Sequence, residues 1–340
     1  MKKIVFKTFL LFCLSISTIS LAQQNDQVGT SMANFLKIGA GSKAAAMGDA
    51  FVALPNDASA LYWNPAGLTS LNKNEVLIQT TSWIAGTNLY FLGVALPFGD
   101  LGTLGASVYS FSSGEMEETT LLNPDGTGRF FSAGNLALGL SYARALTDRF
   151  SVGVTIKYIN ETLSRESADA FAFDIGSTFR TNFLNEMTLG IALSNLGSQM
   201  ELNGPDLIVQ YDVAPDIPTN KTTDARLGTR AWDLPLIFRI GLGTFILNNE
   251  TTSLSLEVGV NDTRDFDPRY NAGSELTFKL IGEQKIMLRA GYKENYDEES
   301  ITAGGGLFLN LAGYDFKFDY AFADYNRLGD VHRYSISILF

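Results

Sequence analysis

Residues 150–158 read Phe150-Ser151-Val152-Gly153-Val154-Thr155-Ile156-Lys157-Tyr158. Phe150, Val152, Val154, Ile156 and Tyr158 fall on one side of an extended chain, and Ser151, Gly153, Thr155 and Lys157 on the other. Successive side chains of a strand point to opposite faces, so this run makes a strand with one greasy face and one small or polar face. The alternation returns with Leu254, Leu256, Val258 and Val260 against Ser255, Glu257 and Gly259. It returns again with Ile286, Leu288, Ala290 and Tyr292 against Met287, Arg289, Gly291 and Lys293. The chain closes on Tyr334, Ile336, Ile338 and Phe340, with Arg333, Ser335 and Ser337 between them.

Working outward from these runs, the pattern predicts strands at 75–83, 87–97, 101–111, 131–145, 149–160, 169–181, 186–195, 234–246, 251–261, 269–281, 285–294, 300–311, 314–324 and 331–340. The fold class is all-β: fourteen antiparallel strands forming a transmembrane β-barrel. An even set of alternating segments, each about ten residues long, is what an outer-membrane barrel presents. The connections are expected to alternate between tight turns, such as 147–148 and 182–185, and longer loops at 112–130, 161–168, 196–233, 262–268, 295–299 and 325–330. Short periplasmic turns and longer external loops then place both termini on the periplasmic side. All nine prolines are expected outside strand interiors, because proline cannot donate to a ladder. A water-soluble β-sandwich also alternates. The length of the run and the final aromatic, Phe340, favour the barrel.

Composition narrows the chemistry. Charged residues are 18% of the chain, against about 25% in ordinary soluble domains. With one cysteine (Cys13), one histidine (His332) and a formal charge of −11, a thiolate or His-ligated metal site, a Ser-His-Asp triad and nucleic-acid binding are all poorly served. No cofactor, no metal and no catalytic residues are expected. Asp262, Asp265 and Asp267 lack the spacing of a calcium loop and read as a solvated acidic loop. Asp297-Glu298-Glu299 reads as an exposed loop tip.

Lys2, Lys3 and Lys7 precede an apolar stretch from Phe9 to Ile19, and Ser20-Leu21-Ala22 supplies small residues for cleavage. Residues 1–22 are therefore expected to be a secretory signal peptide, 23–72 an N-terminal extension and hatch, and 73–340 the barrel. Residues 33–72 lack strand periodicity. Ser42 is expected to cap a short helix, Asp57 or Ser59 a second helical turn, and Asn64-Pro65 to form a turn. This compact segment, rich in small residues, suits a short helical plug folded into the lumen.

The segment contains Ala44 to Ala53, with Met47, Gly48 and Phe51-Val52-Ala53, and then Asp57-Ala58-Ser59-Ala60-Leu61-Tyr62-Trp63-Asn64-Pro65-Ala66-Gly67-Leu68. It closely resembles the N-terminal motif of the PorV/PorQ family of outer-membrane proteins, itself similar to FadL-type barrels with fourteen strands and an N-terminal hatch. The resemblance covers the whole chain in architecture and about 30 residues in motif. Met47, Gly48, Asp57, Ser59, Tyr62, Trp63, Asn64, Pro65 and Gly67 would carry the hatch. The resemblance implies an outer-membrane location and one of two roles: an accessory or substrate carrier in type IX secretion, or FadL-like uptake of hydrophobic compounds. The implied partners are outer-membrane lipid, the barrel assembly machinery, the type IX translocon and secreted proteins.

The face opposite the greasy one should line the lumen. It carries Lys157, Asp174, Arg180, Arg239, Glu257, Glu275, Lys279, Arg289, Lys293, Asp315, Lys317, Asp319 and Arg333, which reads as an ordinarily polar barrel interior. Arginine at Thr155 should then be tolerated better than arginine at Val154. Gly304-Gly305-Gly306 is expected to mark close approach of the hatch or strong curvature. Tyr334, Ile336, Ile338 and Phe340 resemble a barrel assembly signal. The 196–233 loop, with Tyr211 and Trp232 exposed, suits recognition of another protein.

Overall fold

The computed structural model describes residues 28–214, 216, 222–280, 282–311 and 313–340. The leader expected at 1–22 lies outside the described residues, as do Pro215 and Pro218. Sixteen strands follow in chain order: β1 (Glu75–Ser82), β2 (Asn88–Pro97), β3 (Thr103–Glu117), β4 (Phe130–Thr147), β5 (Phe150–Leu163), β6 (Glu166–Arg180), β7 (Thr188–Gly197), β8 (Ile208–Tyr211), β9 (Thr223–Arg226), β10 (Ile237–Asn248), β11 (Thr252–Thr263), β12 (Phe266–Lys279), β13 (Lys285–Glu294), β14 (Ile301–Leu311), β15 (Tyr314–Asp324) and β16 (Asp330–Leu339). All but β8 and β9 form one closed antiparallel barrel. β7 pairs with β10, and β16 closes on β1 from Glu75↔Leu339 to Ser82↔His332. This is the predicted fourteen-strand barrel. The extra pair, β8–β9, is a separate hairpin inside the 198–236 connection.

The faces fall as the alternation dictates. Val154 and Ile156 are 48% and 54% exposed on the outer wall, whereas Thr155 between them is 1% exposed. That last value overturns the expected tolerance of arginine at 155. Thr155 shares a hydrogen bond with Ser141 (2.7 Å) on the inner face, where an added arginine would have to be buried.

The strand ends and turns differ from expectation in several places. β5–β6 and β11–β12 turn in two residues, at 164–165 and 264–265, so the loops expected at 161–168 and 262–268 are mostly strand. β3 to β6 run 14 to 18 residues, and a bilayer uses only about 9–11, so the sheet continues past the membrane. The turn expected at 182–185 spans 181–187 instead. Pro268 lies inside β12, against expectation. It sits where the β11–β12 register shifts and before β12 begins to pair with β13 at Tyr270, so no ladder bond is lost.

The connections at 118–129, 198–236 and 295–300 share the end opposite Phe340, which makes that end the external one. The C-terminus lies at the end with the shorter turns, the one expected to face the periplasm: Phe340 and Asn74 exchange backbone hydrogen bonds of 3.0 and 3.1 Å there. The start of the described chain lies at the opposite end. Ser31 bridges in parallel to Asp233 of the external 198–236 connection. The N-terminal segment thus enters at the outer mouth and descends through the lumen to β1.

Candidate functional site: a packed lumen between two mouths

Residues 33–71 hold a 3-10 turn (Asn34–Lys37), a short helix α1 (Ser42–Ala46), a helical turn α2 (Ala60–Trp63) and a second 3-10 turn (Pro65–Ser70). Ser42 does not cap α1. Gly41, at φ 90°, occupies the cap position, and the Ser42 hydroxyl is buried without a partner. At α2 the Asp57 carboxylate accepts from the Ser59 amide (2.8 Å) and hydroxyl, while Ser59 makes no cap bond of its own. Asn64 caps the second 3-10 turn by accepting from the Ala66 amide at 3.1 Å, and its side-chain amide donates to the carbonyls of Val52 (2.8 Å) and Ser177 (3.1 Å).

The segment fits because the inner wall is notched with glycine where its backbone lies. A Cβ at Gly176 would stand 2.1 Å from Asn64 Oδ1, and one at Gly153 would stand 2.4 Å from the Pro65 carbonyl carbon. Gly273 and Gly291 face the Met47–Gly48 backbone at 2.3 and 2.0 Å by the same construction, and Gly304 faces Ala46 at 2.5 Å. Within the segment, Gly67 packs against Pro55. The glycine-rich composition therefore has a specific use: it lets a second layer of backbone sit inside the barrel.

Charges fix the segment laterally. Lys43 pairs with Glu275 at 2.8 Å, and Arg289 bridges Glu275 (2.6 Å) to Asp319 (2.5 Å) with its own side chain 1% exposed. Lys293 joins Asp49 to Glu299, the latter at 2.8 Å. Glu257 accepts from the amides of Ala53 (2.6 Å) and Leu54 (3.1 Å). Arg333 donates to the Gly39 carbonyl at 2.9 Å. Arg239 donates to Ser194 (3.0 Å) and lies over the rings of Tyr62 and Trp63, 5.0 and 5.1 Å from their centroids. Tyr62 donates to the Leu36 carbonyl and the Trp63 indole to that of Ala40. Lys157 pairs with Asp174 across the wall (2.8 Å), and Lys317 with Glu75 (3.2 Å).

Three charges read as lumen residues sit at the periplasmic rim instead. Lys279 donates to the Asn249 carbonyl of a turn, Arg180 lines the rim, and Asp315 pairs with Lys73 at 2.7 Å. The hydrogen bond that the Lys73 ammonium donates to the Asp315 carboxylate holds its pKa above the usual value. At the outer mouth, Lys37 pairs with Asp265, which also accepts from Ser31 at 2.8 Å. Burial depresses the Lys37 pKa, and the Asp265 carboxylate opposes that. Asp265 and Glu299, expected in solvated loops, are 2% and 6% exposed. Each is buried against a lysine that the strand pattern alone could not place opposite it.

Sequence reasoning missed Lys43, Asp49, Glu75 and Gln79, which answer the wall charges and the Gly41 amide. The available signal was balance: thirteen charges of both signs read as inward require partners, and the plug must supply some of them. Open space remains at the two mouths. A cavity of about 960 Å³ lies under the plug at the periplasmic end, lined by Pro55, Gly67, Thr69, Asp148, Arg149 and Arg180 among others. A smaller one of about 260 Å³ lies by Ser31, Trp232, Asp233 and Asp265. Tyr211 is exposed as expected, but Trp232 is half-buried beneath Arg230, 4.4 Å from its ring centroid.

A closed fourteen-strand barrel with an apolar outer wall and an internal N-terminal plug has the architecture of an outer-membrane barrel. The family model of the type IX secretion system protein PorV matches residues 21–206, more than half of the chain, and the chain belongs to that family. Among solved structures it is similar in fold to the Ralstonia pickettii toluene transporter TbuX (TM-score 0.57, 12% identity, 88% of this chain and 97% of that one). It is likewise similar to the Pseudomonas putida toluene transporter TodX (TM-score 0.57, 11% identity, 88% and 98%) and to a Pseudomonas aeruginosa FadL homologue (TM-score 0.54, 13% identity, 89% and 97%). No curated protein matches it in sequence. Family and fold are those of a secretion-associated or transporter barrel and not of an enzyme family.

Proposed function

We propose that this chain is an accessory barrel of type IX secretion that works by recognising protein partners at its external face. The observation that carries this reading is the contrast between the two ends of the molecule's chemistry. The lumen is filled by a segment held through buried ion pairs, whereas the external end offers exposed apolar side chains on projecting backbone. Leu121 and Leu122 at the tip of the 118–129 loop are fully or nearly fully exposed. Ile208, Tyr211, Val213 and Leu227 are exposed on and beside the β8–β9 hairpin. Exposed aromatic and aliphatic anchors on otherwise polar loops suit a protein interface.

On this reading the hatch residues form a fixed plug, Tyr334, Ile336, Ile338 and Phe340 engage the barrel assembly machinery, and the leader at 1–22 directs export. Uptake of hydrophobic compounds, the activity of the fold neighbours, would need a greasy path past Lys43, Glu275, Arg289 and Asp319, where desolvated charges stand instead. The test replaces 208–226 by a short Gly-Ser linker. Loss of type IX cargo at the surface, with the barrel still heat-modifiable and a translocon barrel no longer co-purifying in mild detergent, is the expected result. Undiminished secretion by that variant would refute the reading.

A further inference from the structure

Gly304, Gly305 and Gly306 lie consecutively in β14 but do different jobs. Gly304 and Gly306 point inward, where a Cβ would stand 2.5 Å from Ala46 Cβ and 2.4 Å from Asp319 Oδ1. Gly305 points outward. There a Cβ would meet only the Met287 carbonyl oxygen at 3.4 Å, an ordinary contact. Nothing in the fold requires glycine at that position, and a strand interior disfavours it.

What its absent side chain creates is an apolar recess of about 400 Å³ in the outer wall. Gly305 forms the floor, and Leu307, Phe318, Tyr320, Tyr334 and Ile336 line it. Toward the external end, the Tyr320 hydroxyl and His332 Nδ1 are hydrogen-bonded at 2.8 Å, and the two rings stack with centroids 6.1 Å apart. Tyr334 packs on Tyr320 at 5.3 Å.

The recess opens within the band of outward apolar side chains that meets the bilayer, so its occupant comes from the membrane. It is one residue wide at its floor, which suits a flexible chain better than the wall of another barrel. Its polar end faces outward, as in the aromatic belts that meet lipid headgroups. We propose that this recess is a binding site for one outer-leaflet lipid. An acyl chain lies over Gly305, and the headgroup is hydrogen-bonded by the Tyr320–His332 pair. The assignment needs only the membrane location and stands apart from the secretion reading.

The test is native mass spectrometry of the full-length protein extracted from its own membrane in mild detergent, comparing wild type with Gly305→Leu. Because a Cβ at 305 meets only an ordinary contact and the rest of the side chain would extend into the open recess, the variant should fold, and its unchanged heat-modifiable fraction verifies that. Wild type is expected to carry a single-lipid adduct that falls at least tenfold in Gly305→Leu, and by less in His332→Ala. Equal lipid retention in wild type and Gly305→Leu overturns the proposal, as does the absence of any adduct from wild type. Loss of a co-purifying protein from Gly305→Leu, with lipid retention unchanged, also overturns it and assigns the recess to a membrane-embedded partner.

Discussion

Arg289→Met removes the centre of the buried ionic cluster. In the native barrel its guanidinium meets Glu275 at 2.6 Å and Asp319 at 2.5 Å, and the Asp319 side chain is only 6% exposed. After substitution Glu275 keeps Lys43 at 2.8 Å, but Asp319 loses its ion-pair partner. Breaking a buried pair by removing one partner costs about 3–5 kcal/mol, because a desolvated charge is left uncompensated. At about 1.4 kcal/mol per factor of ten, the folded-to-unfolded ratio should fall by roughly two to three and a half decades. Adding Asp319→Leu removes the stranded carboxylate, so the double variant should recover much of the loss, with a coupling energy of about 2 kcal/mol or more. Urea unfolding in lipid vesicles, followed by tryptophan fluorescence and gel mobility, measures all three variants. If Arg289→Met lies within about 1 kcal/mol of wild type, or the two changes add without coupling, the cluster is wet and interchangeable and the reasoning fails.

Gly153→Val should detach the Asn64-Pro65 turn from the wall, since its Cβ would meet the Pro65 and Ala66 backbone at 2.4 and 2.5 Å; overpacking of about 1–3 kcal/mol or more should appear as faster proteolysis within 33–72. Val154→Arg should cost about 2–4 kcal/mol from the lipid side, and Thr155→Arg should be at least as damaging from the packed side, so a well-assembled Thr155→Arg barrel would contradict the filled lumen. A cysteine at Val28, which is 61% exposed by the outer mouth, should react with a membrane-impermeant maleimide on intact cells, whereas one at Asp148 should not. The opposite labelling pattern would invert the topology.

The barrel was legible because its signal is local. Val154 and Thr155 declare their faces by neighbouring in sequence, and fourteen such runs fix the strand number. The hatch motif was legible as a unit through its Asn64-Pro65 turn and its lack of strand periodicity. What sequence could not show was the pairing between segments more than 200 residues apart, such as Lys43 with Glu275 or Lys293 with Asp49. The small face of β5 looked merely polar because Gly153 has no side chain to advertise a contact. Its meaning appears only when the Pro65 backbone is laid against it. The chain's entry at the outer mouth was also hidden, because turn lengths orient strands and say nothing about a segment threaded inside them.

The most direct test of recognition against transport is to pin the plug and measure secretion. An added Cβ at Gly243 would lie 3.4 Å from Ala53 Cβ, close to disulfide spacing, with the Leu54 side chain rotating aside. Cells whose only copy carries Ala53→Cys and Gly243→Cys, oxidised to completion, should display type IX cargo at the wild-type level, because recognition at the external face does not require the plug to move. Loss of secretion on oxidation, restored by reduction, would show that plug movement is part of the function and would contradict the account.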